Sequence, residues 1–202
     1  MLIEELAKEV HENAVAHGWW EDERETPEIA APIHSEWSEA LEEARAGRPL
    51  VYRLCADCDE GPCDVEPDTA TACGFDAARH KPEGIAVELI DGCIRILDYI
   101  GYLDGKVTTK DGSDSTIEIL YSEENMEKVP DKPAEVIAYL HLHTSRVLMV
   151  SSPFTAPNGA AMLEALALAL SWVKKQGIDP LALLLEKHEY NKTRPYKHGK
   201  MF

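Results

Sequence analysis

The chain has no hydrophobic run long and uninterrupted enough to span a bilayer, so no membrane segment is expected. Its N-terminus, MLIEELAKEV, lacks the basic-then-apolar pattern of a secretory leader, and a cytoplasmic location follows as the expectation. Basic residues are scarce: 20 Lys and Arg stand against 37 Asp and Glu, a net charge of −17. A field of that sign repels a phosphodiester backbone, so no polynucleotide partner is expected. A small nucleotide carried in with a metal ion is compatible with it. Five cysteines, an odd number, do not suit a disulfide framework in a cytoplasmic chain. No internal repeat and no low-complexity tail are visible.

What is present is helix. A hydrophobic content of 45% over 202 residues supports one domain with an insert. Six helical segments are predicted. The first covers about 2–17 and stops at Gly18; the second runs from Pro27 to Ala46, with Gly47 and Pro49 beyond it. The third starts near Pro82, a favoured first-turn residue, and ends near Gly101. It is apolar nearly all round, which marks it as the central helix. The fourth spans Pro133 to Met149. The fifth follows Asn158 as a candidate N-cap and ends at Gly177, and the sixth is capped by Asp179 with Pro180 next. The polar stretch 105–130 joins the third helix to the fourth, with a short hairpin between VTT and TIEIL as one reading. The fold class is therefore all-α: residues 1–202 form a single antiparallel helical bundle, with a four-cysteine loop inserted at 49–80.

Two acidic pairs stand out. Glu36-x-x-Glu39 lies in HSEWSEALEEA and Glu88-x-x-Asp91 in KPEGIAVELIDGCIRILDYI. A three-residue step puts both side chains of a pair on one helix face. Most E-x-x-E matches are solvated surface, and the first pair sits among further glutamates, Glu42 and Glu43. The second pair interrupts an apolar helix, where an acid needs a partner or a metal. If the two helices pack face to face, four carboxylates converge, and cations must hold them. Oxygen-only ligands favour Mg²⁺ or Mn²⁺ over Zn²⁺.

In these motifs the sequence resembles the all-α nucleoside triphosphate pyrophosphohydrolases, the MazG-like superfamily, and in particular its phage and bacterial MazG-like members. The family signature is E-x-x-E on one helix and E-x-x-D on the next; EKHEYNKTRPYKHGK near the C-terminus is similar to the family's N-K-x-x-R segment. The resemblance implies that Glu36, Glu39, Glu88 and Asp91 are the catalytic Mg²⁺ ligands. It implies that the substrate is a (d)NTP, cut to a nucleoside monophosphate and pyrophosphate in clearance of the nucleotide pool. It also implies that Asn191, Lys192 and Arg194 meet the phosphates, that a tryptophan of the Asn13–Trp19–Trp20 region, Trp20, stacks on the base, and that the chain forms a homodimer or higher homo-oligomer. Many members carry an acid just before the first glutamate; here that position is Ser35.

Asn191, Lys192, Arg194 and Lys197 make the densest basic stretch of an acidic chain. Guanidinium and ammonium groups suit phosphate oxygens, whereas a frayed solvated tail is the plainer reading. Tyr190 and Tyr196 can pack on the bundle or on a nucleoside. Cys55, Cys58, Cys63 and Cys73 offer four thiols for a structural Zn²⁺, with His80 just beyond, but the second half lacks a tight C-x-x-C. Free thiols are the alternative, and Cys93 reads as a small core residue. His141 and His143 are two apart on a helix, so their rings diverge; with His34 they are taken as structural or exposed. A second functional class stays open, a non-catalytic helical binding module with a zinc-ordered docking loop. A di-iron bundle fits less well, because the pairs lack its E-x-x-H histidines.

Overall fold

The computed structural model describes residues 1–55, 62–63, 80–103, 116–149 and 156–199. Among them are seven α-helices and one small sheet: α1 (Ile3–Ala16), α2 (Thr26–Arg45), β1 (Tyr52–Cys55), β2 (Pro62–Cys63), β3 (His80–Glu83), α3 (Ile85–Tyr102), α4 (Glu123–Lys128), α5 (Pro133–Arg146), α6 (Ala156–Lys175) and α7 (Pro180–Lys192). The fold is all-α, as expected. No helix among the described residues is long and apolar enough to cross a membrane.

α3 is the central helix. Leu89, Ile90, Ile96, Leu97 and Ile100 are all buried along it, and α1, α2, α6 and α7 pack around it. Each such side chain contributes about 1.5–3 kcal/mol by leaving water. Two glycines let neighbouring helices come close. A Cβ at Gly92 would overlap the buried ring of Trp37 on α2, and one at Gly101 would overlap the Ala7 carbonyl oxygen on α1. Gly101 therefore serves as a helix-contact position inside α3, where the sequence suggested a terminator. Trp37 is anchored in turn by its indole N–H, which donates to Thr144 Oγ1 of α5 at 2.9 Å.

α2 opens with a capping box. The Glu25 side chain accepts from the backbone N–H of Glu28, and the Glu28 side chain accepts from the Glu25 N–H at 2.9 Å. Pro32, inside the helix, has no N–H to give the Glu28 carbonyl. Arg24 Nη2 donates to that oxygen instead, at 2.7 Å. α7 starts as the sequence indicates: Asp179 accepts from the N–H groups of Leu181 and Ala182, with Pro180 in the first turn.

Several boundaries differ from the expectation. Pro82 lies in β3, not in the first turn of α3. The sheet order is β2-β1-β3 with antiparallel pairing, so Pro82 sits on an edge strand, where a missing N–H is tolerated. TIEIL is no strand. Ile117–Tyr121 forms a 3₁₀ turn whose Ile117 is buried, and the Ile117 N–H donates to the Met1 carbonyl. VTT and the proposed turn fall outside the described residues. α6 begins at Ala156, so Asn158 lies inside the helix and is not its N-cap. α5 closes at Arg146 and a 3₁₀ turn, Val147–Met149, carries on.

The cysteine insert is framed by the sheet. Cys55 ends β1, is buried, and pairs across the strands with His80 of β3. Position 63 pairs with Arg53, while Cys58 and Cys73, and with them the four-thiol zinc expectation, lie outside the described residues. Arg53 ties this sheet to α7 through two hydrogen bonds to Glu186, at 2.8 and 3.0 Å. Cys93 is buried in the core, and burial pushes its thiol pKa up, as suits an inert thiol. His34 on α2 and His141 on α5 face each other across the helix pair, Nδ1 to Nδ1, at 2.8 Å.

Candidate metal centre

The close contact of Trp37 with Gly92 brings the neighbouring acids together. Glu36 precedes Trp37 on α2, and Asp91 precedes Gly92 on α3. Glu36, Glu88 and Asp91 each offer a carboxylate oxygen, and these oxygens lie within 4.8 Å of one another. Glu36 is 5% and Glu88 6% exposed. Glu39 does not join them. It is exposed, lies on the wall of the same cavity, and accepts a hydrogen bond from Ser35 Oγ at 3.0 Å. Ser35 is thus bonded to the next turn of its own helix.

Electrostatics show how unusual the grouping is. Burial, and next the charge of Asp91, push the Glu88 carboxyl up to about 9. Burial also raises Glu36, against the opposing pull of Arg95. Two cations face these three acids. Arg95 Nε donates to Glu36 Oε1 at 2.5 Å, and Lys187 Nζ meets Asp91 Oδ2 at 2.9 Å. Lys187 is 1% exposed and also donates to the Pro82 carbonyl at 3.1 Å, so β3 helps hold it. Burial alone would lower Lys187, but Asp91 outweighs it and keeps the ammonium above its usual value. Arg95 is held up in the same way, chiefly by Glu36.

Asn191 of α7 adds a different signal. It is 7% exposed, its Nδ2 reaches Asp91 Oδ1 at 3.4 Å, and its Oδ1 has no hydrogen-bond partner. A buried amide oxygen without a donor, set against three carboxyl groups, is chemically suited to a cation or a cation's water. The donor set is oxygen throughout, and the residues fit a hard divalent ion such as Mg²⁺ or Mn²⁺.

The cavity that opens on this triad has a volume of about 240 Å³. Arg194 and Asn191 line it. Lys192 and Lys197 do not: Lys192 pairs with Glu9 and Glu189 on the surface, and Lys197 with Glu21. Trp19 lies on the cavity wall, whereas Trp20, the residue expected to stack on a base, is engaged in the fold. Its indole N–H donates to Asp98 at 2.9 Å, and its ring stacks on Tyr102 at 4.4 Å. Tyr196 lies against Gly18, where its ring leaves no room for a side chain and the φ of +80° disfavours one.

Arg95, Asp98 and Lys187 were missed by a reading that looked only for carboxylate pairs. The signal was there. Glu88, Asp91, Arg95 and Asp98 follow one another at steps of three, four and three, a single polar stripe down an apolar helix. Asp98, at the lower end, accepts from Trp20 and meets His11 Nδ1 at 2.7 Å. Comparison with protein-family models, with curated proteins and with solved structures finds no match to this chain.

Proposed function

We infer that the protein is a Mg²⁺-dependent nucleoside triphosphate pyrophosphohydrolase of the MazG-like type, releasing a nucleoside monophosphate and pyrophosphate. The observation that carries this reading is the buried triad of Glu36, Glu88 and Asp91 beside an unpartnered buried amide oxygen. Glu36 and Glu88 are kept from water at a cost, with Asp91 beside them, and burial pushes Glu88 up to about 9, as befits carboxylates arranged to hold a cation. Cytoplasmic location, a homo-oligomeric state and a role in clearing the nucleotide pool belong to the same reading.

Glu36, Glu88 and Asp91 would hold the ion, with Asn191 Oδ1 as a further oxygen. When bound, Mg²⁺ supplies charge neutralisation for a polyphosphate and a lowered pKa for coordinated water. The chain's own residues supply the remainder. Lys187 fixes Asp91 in place, and Arg194 offers positive charge at the cavity wall, where triphosphate oxygens would need it. Glu39, on the cavity wall with Ser35 as its partner, stands where a base for an attacking water would be of use.

Asp91→Ala and Glu88→Ala test the site. Both are expected to abolish nucleotide turnover and Mn²⁺ binding while the far-ultraviolet circular dichroism stays helical. Full activity in either variant removes these residues from the site.

A further inference from the structure

Arg95 makes an incomplete ion pair. An arginine can present two hydrogen-bonding edges, Nε with one Nη, and the Nη pair. Arg53, whose role is to tie the sheet to α7, gives both Nε and Nη2 to Glu186. Arg95 gives Glu36 its Nε alone, to one carboxylate oxygen. Among the described residues neither Nη of Arg95 has a hydrogen-bond partner, although the guanidinium lines the cavity beside the triad. The side chain is 29% exposed, so the free edge opens on the cavity and is not sealed in the core.

Of the other cations on the cavity wall, Arg194 touches none of the three acids, Lys81 pairs with Glu83, and Lys187 and Arg24 are committed. Lys187 Nζ is shared between Asp91 and the Pro82 carbonyl in a fully buried position. Arg24 donates to the Glu28 carbonyl and lies over the Trp20 ring at 5.5 Å. Arg95 is the cation that both touches a proposed metal ligand and keeps a fork of donors unspent.

We propose that Arg95 is a phosphate-binding residue: its Nε positions Glu36, and its Nη edge receives the non-bridging oxygens of a metal-bound polyphosphate. The inference rests on the phosphate-site reading above. It adds a specific role to the third member of the α3 stripe, one turn beyond Asp91. A planar fork suits paired phosphate oxygens, and a lysine in its place cannot serve Glu36 and a phosphate with one point charge.

The test uses the full chain, Mn²⁺ for the metal site and inorganic tripolyphosphate with Mg²⁺ for the phosphate site, so no turnover is needed. Mn²⁺ affinity is read by electron paramagnetic resonance and tripolyphosphate affinity by calorimetry, for wild type, Arg95→Lys and Arg95→Gln. Mn²⁺ affinity is expected to stay within about threefold of wild type. Tripolyphosphate binding is expected to weaken about tenfold or more in Arg95→Lys, and further in Arg95→Gln. Wild-type tripolyphosphate affinity in Arg95→Lys overturns the proposal, and so does an equal loss of both affinities, which would make Arg95 only a support for Glu36. If wild type itself fails to bind tripolyphosphate, the phosphate-site reading falls and this one with it. If a variant fails to fold, side-chain nitrogen NMR of the wild type decides: the Arg95 Nη signals must shift on adding tripolyphosphate, and unmoved signals reject the role.

Discussion

Glu88 is the residue on which pH acts most directly. Its carboxyl sits near 9 in the fold, against an ordinary value of 4.5. A folded pKa raised above the unfolded one means that the native state holds the proton longer. The associated stability is complete below about pH 4.5 and is lost as pH rises through about 9. Metal-free protein is therefore expected to melt at progressively lower temperature as pH is raised across that window, and Glu88→Gln to flatten the dependence. Mg²⁺ favours the carboxylate, so its stabilisation should be largest at the alkaline end. Thermal melts of both proteins, with and without Mg²⁺, check this; parallel curves for wild type and variant would reject the assignment. Lys187 gives a second expectation. Replacing it with Met leaves Asp91 buried beside Glu88 without its counter-ion, a loss of about 3–5 kcal/mol. Urea unfolding reads that loss, and Mg²⁺ should recover part of it. Lys187 was not visible from spacing, because EKHEYNK reads as an ordinary charged helix face. Only the packing of α7 on α3 and β3 turns position 187 inward.

At the scale of elements, the α2–α3 contact assembles the triad. Trp37 against Gly92 sets how closely the two helices approach, and Glu36 and Asp91 are the adjoining residues. Gly92→Ala is expected to destabilise the protein by about 1–3 kcal/mol, since a buried indole must shift to admit the methyl group. It should also weaken Mn²⁺ binding, a result that a simple loss of core packing far from the site would not give. Denaturant melts and Mn²⁺ titration of the variant measure the two effects. Helices were legible in the sequence because their apolar stripes and caps agree: Asp179-Pro180 begins α7, and Gly177 follows α6. The errors arose where one residue type serves two structures. Pro82 suits a first helical turn and an edge strand equally, and only pairing with β1, thirty residues upstream in sequence, decides between them. TIEIL alternates like a strand, but it packs on α6 and meets the N-terminus, where the Met1 amino group lies 3.3 Å from Glu118. Glu39 carries the same three-residue spacing, but it stands on the cavity wall with Ser35 and outside the triad, a difference no one-dimensional pattern can show.

For the whole molecule, an acidic chain of net charge −17 sets Lys187, Arg95 and Arg194 around one cavity. α1, α2, α3 and α7 surround the cavity, and α5 and α6 support α2 and α3 from the other side. β3 reaches this centre, since Lys81 lines the cavity and the Pro82 carbonyl holds Lys187. The central claim is that this arrangement cuts a nucleoside triphosphate between its α and β phosphorus atoms with Mg²⁺. Phosphorus NMR of a (d)NTP panel incubated with the protein and Mg²⁺ tests it most directly. The account predicts nucleoside monophosphate and pyrophosphate in equal amounts, no diphosphate intermediate, and silence with EDTA or with Glu88→Ala. Orthophosphate released stepwise, or no hydrolysis of any nucleotide in the panel, would contradict it.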